Sequence, residues 1–68
     1  MITVDARGLS CPQPVLLTKQ ALDAHPEGCR VLVDAPAAKA NVTRYAQKAG
    51  FNVAIGEQNN DTIIDISK

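Results

Sequence analysis

Tryptophan is missing from these 68 residues, and one Tyr and one Phe are the only aromatic side chains. A surface of stacked rings for single-stranded nucleic acid is thereby excluded, and the core has to come from Ile, Leu, Val and Ala. Net charge is missing too: seven basic residues face seven acidic ones. A balanced chain is no broad attractor for phosphate or anionic lipid, so neither direct nucleic-acid binding nor membrane binding is expected. No apolar run approaches the ~18 residues of a membrane-spanning helix. The opening Met1-Ile2-Thr3-Val4-Asp5 lacks a basic stretch followed by an apolar one, so no signal peptide is expected and the cytoplasm is the expected location. Two cysteines, Cys11 and Cys29, are too few for a disulfide scaffold and are not spaced as a CxxC pair. With a single histidine they make no metal site, and no bound cofactor is expected. A second histidine and a spaced carboxylate pair are also lacking, so acid–base catalysis on a carbon substrate has no visible machinery.

What is present is ordinary for a globular protein. The hydrophobic fraction is 46%, and the length predicts a single domain over residues 1–68. Ile2 and Val4 alternate with Thr3 and Asp5, which predicts a short strand with one buried face. Gly8 turns the chain, and Val15 to Ala24 contains no Gly or Pro and reads as helix. On a helical wheel Pro14, Val15, Leu17, Thr18, Ala21 and Leu22 share one arc, with Lys19, Gln20 and Asp23 opposite. Ala24-His25-Pro26-Glu27-Gly28 ends that helix. Cys29 to Asp34 predicts a second strand, parallel to the first through a right-handed crossover. After the turn Asp34-Ala35-Pro36, the residues Ala38, Val42, Tyr45, Ala46 and Ala49 form the stripe of a second helix, with Lys39, Thr43, Arg44, Gln47 and Lys48 facing away. Gly50 is its expected C′ residue. Phe51, Val53 and Ile55 mark a third strand. A polar turn within Gly56 to Asp61, around Asn59-Asn60, leads to a fourth over Thr62 to Ser67. The order βαβαββ predicts an α+β fold: a two-layer sandwich, with two helices on one face of a mixed four-stranded sheet.

The stretch Gly8-Leu9-Ser10-Cys11-Pro12-Gln13-Pro14-Val15 carries the chemistry. Pro12 suits the first turn of a helix, because its φ is already near the helical value and its missing N–H would have had no partner there. Two registers fit. With Cys11 as N-cap, its sulfur can accept from the N–H of Gln13 or Val15, since Pro12 and Pro14 have none. With Ser10 as N-cap, Ser10 and Gln13 form a capping box, and Leu9 packs on Pro14. In both, Cys11 sits at the positive end of a helix dipole, where a thiol ionises near neutral pH. A thiolate there can attack a sulfur donor, hold a persulfide or join a disulfide; a plain buried cysteine is the alternative.

Arg7, Leu16 and Lys19 are candidate contacts for a partner beside the thiol. A solvated Arg7 and an incidental exposed Leu16 are the alternatives. His25 lies at the far end of the helix, too remote to pair with Cys11. Cys29 reads most simply as a small buried hydrophobe, with a resolving thiol as the other reading.

The segment Asp5-Ala6-Arg7-Gly8-Leu9-Ser10-Cys11-Pro12-Gln13-Pro14 resembles the signature of the TusA/SirA-type sulfur-carrier family, marked by Cys-Pro-x-Pro at the start of the first helix. The resemblance covers the whole chain and implies a small βαβαββ protein. It implies that Cys11 takes a persulfide sulfur from a cysteine desulfurase and passes it to a downstream sulfur-acceptor protein. In one branch that sulfur ends in 2-thiouridine of tRNA. The segment from Ala37 to Ala46, followed by Gly50-Phe51, resembles the YedF-type branch, which is linked to selenium metabolism. On this reading Cys11 is the acceptor, and Gly8, Pro12, Gln13, Pro14 and Val15 position it. The chain is then a sulfurtransferase-like carrier rather than a self-sufficient enzyme. A redox or regulatory module working through a Cys11 disulfide, and a purely structural binding domain, are the other classes.

Overall fold

The structure, a computed structural model, describes residues 2–9 and 13–68. Expectations that fall on Ser10, Cys11 and Pro12, including the choice of N-cap, lie outside the described residues. Six elements follow in order: β1 (Ile2–Asp5), α1 (Gln13–Ala24), β2 (Gly28–Val33), α2 (Pro36–Lys48), β3 (Asn52–Gln58) and β4 (Asp61–Ser67). The sheet order is β1-β2-β4-β3, with β1 parallel to β2 and the other neighbours antiparallel. The α+β sandwich expected from the sequence is the fold observed, with both helices packed over one sheet face.

Alternation in the strands explains which face is covered. Cys29, Val31 and Val33 of β2, with Ile64 and Ile66 of β4, are fully buried, and they meet Ala21 and Leu22 of α1 and Ala38, Val42 and Ala46 of α2. Side chains one step out of that phase turn to the other face, as Thr3 and Arg30 do. Small alanines at the helix contacts let two helices share so narrow a sheet. Thr18 is also fully buried, and its hydroxyl donates to the carbonyl oxygen of Pro14 at 2.8 Å, which removes the cost of hiding it.

Element limits differ from the sequence reading where backbone pairing reaches past the hydrophobic alternation. β2 starts at Gly28 and stops at Val33, so Gly28 is a strand residue as well as the end of a turn. A Cβ there would fall on the carbonyl oxygen of Ile66 and 2.9 Å from the Cα of Ser67. Phe51 is outside β3. Its N–H closes the α2 C-terminus on the Ala46 oxygen, while the N–H of Gly50, at φ 89°, closes on the Gln47 oxygen. That pair of bonds is a Schellman cap. β3 runs on to Gln58 and β4 begins at Asp61, leaving only Asn59-Asn60 as the turn. Both have positive φ, 53° and 69°, as a type I′ hairpin requires. Lys39 and Thr43, expected to face away, are half-buried, and Ala49, expected in the stripe, is exposed.

Candidate functional site

The loop from β1 toward α1 is held from both sides. Ala6 is buried, and its N–H extends the sheet by donating to the Leu32 oxygen at 2.9 Å. Gly8 takes φ 75°, and its N–H donates to both carboxylate oxygens of Asp34, 3.1 Å each. Asp34 directly precedes Ala35, the N-cap of α2, where no side-chain cap bond forms. Its carboxylate serves the loop instead.

Arg7 clamps the other side. Its guanidinium grips Asp5 through Nε–Oδ1 and Nη2–Oδ2, both 2.9 Å, and reaches Asp61 at 3.0 Å. Asp61 opens β4, so the loop is fastened to the far end of the chain. The guanidinium holds the Asp5 carboxyl down to about 2, with a backbone bond from Arg7 adding to the effect. The same contacts raise the Arg7 pKa, led by the hydrogen bond to Asp5. Arg7 therefore brings no uncompensated positive charge to the loop: two carboxylates, Asp5 and Asp61, hold its guanidinium. Sequence reasoning missed Asp34 and Asp61 as loop anchors, because 26 and 54 residues separate them from the groups they bind. A carboxylate flanking a strand carries no local sign of such a distant bond.

α1 begins at Gln13, which is exposed; Pro14 is buried and Val15 half-buried. The first N–H groups of a helix have no partner within it, and Pro14 has none to offer, so Gln13 and Val15 supply the donors of the first turn. Leu16 is 50% exposed and lines a shallow hollow of about 260 Å³ with Gln13, Leu17 and Gln20. Lys19 is exposed and forms no ion pair with any described residue. The first two turns of α1 thus join an apolar spot at Leu16 with Lys19, a cation that has no ion pair among the described residues.

His25 and Cys29 are kept apart from this end. His25 follows the last residue of α1, about 18 Å from its start for a 12-residue helix, and its Nδ1 lies 3.4 Å from Glu27. Cys29 is a free thiol with no exposed surface, and burial pushes its pKa up. Among the described residues no cluster of His, Cys, Asp and Glu has the makings of a metal site, and no helix is long and apolar enough to cross a membrane.

A clamped glycine loop running into a helix whose first turn holds Pro14 can be compared with known proteins. The sequence model of the family described as Sulfurtransferase TusA matches residues 2–68. The chain belongs to the TusA family. A candidate sulfur carrier protein of Methanocaldococcus jannaschii is 38% identical over 60 residues, covering 85% of this chain and 80% of that protein. The crystal structure of a SirA-like protein of Desulfitobacterium hafniense superposes with a TM-score of 0.90 at 34% identity, covering 98% of this chain and 96% of that one. The expected TusA/SirA-type membership is therefore shown, and with it a family of candidate sulfur carriers.

Proposed function

We propose that this TusA-family chain is a sulfur carrier whose working atom is the Cys11 sulfur. The observation that carries the reading is the family match over residues 2–68, which takes in the whole Cys-Pro-x-Pro stretch. The described frame supports it. Cys11 is joined in the chain to a loop anchored at Gly8 by Asp34 and, two residues on, to the amino end of α1. Pro14 supports the first turn of that helix from inside the protein, and Pro12 takes the matching position ahead of it in the sequence. The amides of Gln13 and Val15 supply the positive end of the dipole that favours a thiolate.

The step is a sulfane-sulfur transfer. The Cys11 thiolate attacks the outer sulfur of a persulfide on a donor protein. A new S–S bond forms at Cys11, the donor's S–S bond breaks, and the donor cysteine leaves as thiolate. No oxidant or reductant is consumed, since one S–S bond replaces another. The donor is a cysteine desulfurase with its own pyridoxal phosphate, and the acceptor is a downstream relay protein. Both are met on the face made by Leu16, Gln13 and Lys19. The sulfur ends in tRNA thiolation or in related sulfur or selenium metabolism, and residues 1–68 act as one carrier domain in the cytoplasm. A redox module with an internal Cys11–Cys29 disulfide is disfavoured by the full burial of Cys29.

The test is mass spectrometry after incubation with a cysteine desulfurase and free cysteine. The wild-type chain is expected to gain one sulfur atom on Cys11, and Cys11→Ser to fold normally and gain none. Sulfur on the Cys11→Ser variant, or its absence from the wild type, would overturn the proposal. Cys11 is also expected to alkylate faster than Cys29 at neutral pH.

A further inference from the structure

We infer that the groove between α2 and the β3 edge is a docking site for an extended, acidic segment of a partner protein. β3 is an outer strand of the sheet, and six of its seven residues are exposed. Every second residue of such a strand directs its N–H and C=O away from the neighbouring strand. Edges of this kind are usually blunted by Pro, Lys or a bulge, yet Asn52-Val53-Ala54-Ile55-Gly56-Glu57-Gln58 has neither Pro nor Lys and pairs in unbroken register with β4. It is a ready template for one more strand.

The groove beside that edge has about 530 Å³ and is lined by Lys39, Ala40, Thr43, Arg44, Gln47 and Ile55, with Pro36 at one end. Ile55 is 44% exposed. α2 holds three of the chain's basic residues, Lys39, Arg44 and Lys48, and no acidic one. None of the three forms an ion pair among the described residues, whereas Arg7 and Arg30 are both paired. A chain of zero net charge thus gathers unpaired positive charge along one helix. The one carboxylate on β3 is Glu57.

Geometry narrows the occupant. Lys39 and Arg44 are five residues apart, about 7.5 Å along a helix axis. Side chains on one face of an added strand repeat about every 7 Å. A strand with acidic residues at alternate positions would meet both cations while its backbone pairs with β3, and a neighbouring apolar side chain would cover Ile55. That apolar contact favours a protein segment over a polyphosphate backbone. α1 and α2 both follow the C-terminal ends of parallel strands, so Pro36, at one end of the groove, lies at the sheet end where α1 starts. The inference does not depend on what Cys11 carries.

The experiment titrates a blocked peptide alternating Glu and Val into the full, nitrogen-15-labelled chain. Amide shifts are expected on β3 and on the groove side of α2, with slowed exchange along β3 and binding that weakens with salt. The double variant Lys39→Glu with Arg44→Glu is expected to lose about tenfold in affinity or more, with its α1 and β4 shifts and its sulfur loading intact. Equal binding of a Lys–Val peptide, shifts on another face, or no shifts at millimolar peptide would overturn it. So would tighter binding of a uridine oligonucleotide in the same groove, or a dimer of the unliganded chain through β3 by sedimentation.

Discussion

A buried thiol and an exposed carboxylate show how differently single residues respond to pH. Cys29 has no contact with water, and its neutral form is the one the fold accommodates. In the unfolded chain the thiol ionises around its ordinary value of 9.0, whereas in the fold it stays protonated to higher pH. Above that value the unfolded state binds fewer protons, so stability is present below it and declines as pH rises. The decline is expected to flatten in Cys29→Ala, read by denaturant unfolding across pH 8 to 11. Cys29→Ser puts a hydroxyl at a fully buried core position, and should cost about 1–3 kcal/mol.

Asp5 works in the opposite direction. Its carboxyl is held at about 2 by Arg7, below the ordinary 3.8. Its contribution is therefore present above 3.8 and is lost as pH falls through 2. The pair is solvent-exposed and screened, so the effect is small. Its signature is that Asp5→Asn and wild type converge in stability between pH 4 and 2, and that added salt narrows the gap at neutral pH.

The elements follow local rules that the sequence states plainly, except at their ends. α1 buries Pro14, Thr18, Ala21 and Leu22, four of the six residues its wheel puts on one arc, and half-buries the other two, Val15 and Leu17. α2 stops where Gly50 takes a positive φ and the Schellman bonds close. The β3–β4 hairpin turns on two left-handed asparagines. Gly is the favoured second residue of that turn, because a side chain in the left-handed region is mildly strained. Asn60→Gly is expected to raise the melting temperature by about 2–4 °C, which corresponds to roughly 0.5 kcal/mol in a chain of this size. No change, or a fall, would mean that the Asn60 side chain contributes more than its backbone strain costs. Strand lengths were less legible than strand existence. Gln58 and Asp61 carry no hydrophobic signal, and they join the ladder because the tight turn between them leaves no other place for their backbones.

At the scale of the whole molecule, the close approach of β2 to β4 governs the sheet, since these are its two inner strands. Gly28 permits that approach. Gly28→Ala is expected to cost about 1–3 kcal/mol for the backbone conformation alone, and more for the overlap with Ile66 and Ser67. Amide exchange in the β2–β4 ladder would rise, while α2 and the far hairpin keep their protection. The periodicities of the chain were enough to determine six elements, their order, the crossover between parallel strands and most of each core stripe, because burial repeats every two residues in a strand and about every 3.6 in a helix. The turn at Gly8 and a helix start close to Pro14 were legible for another reason: a glycine and a proline act on their own backbone. Tertiary structure alone decided which charges are spent and which are free. It set Asp34 on Gly8 and Asp61 on Arg7, buried Cys29, and left Lys39 and Arg44 without an ion pair among the described residues, beside an open strand. Pairings between residues far apart in sequence depend on where folding brings the elements, and no local pattern encodes that distance.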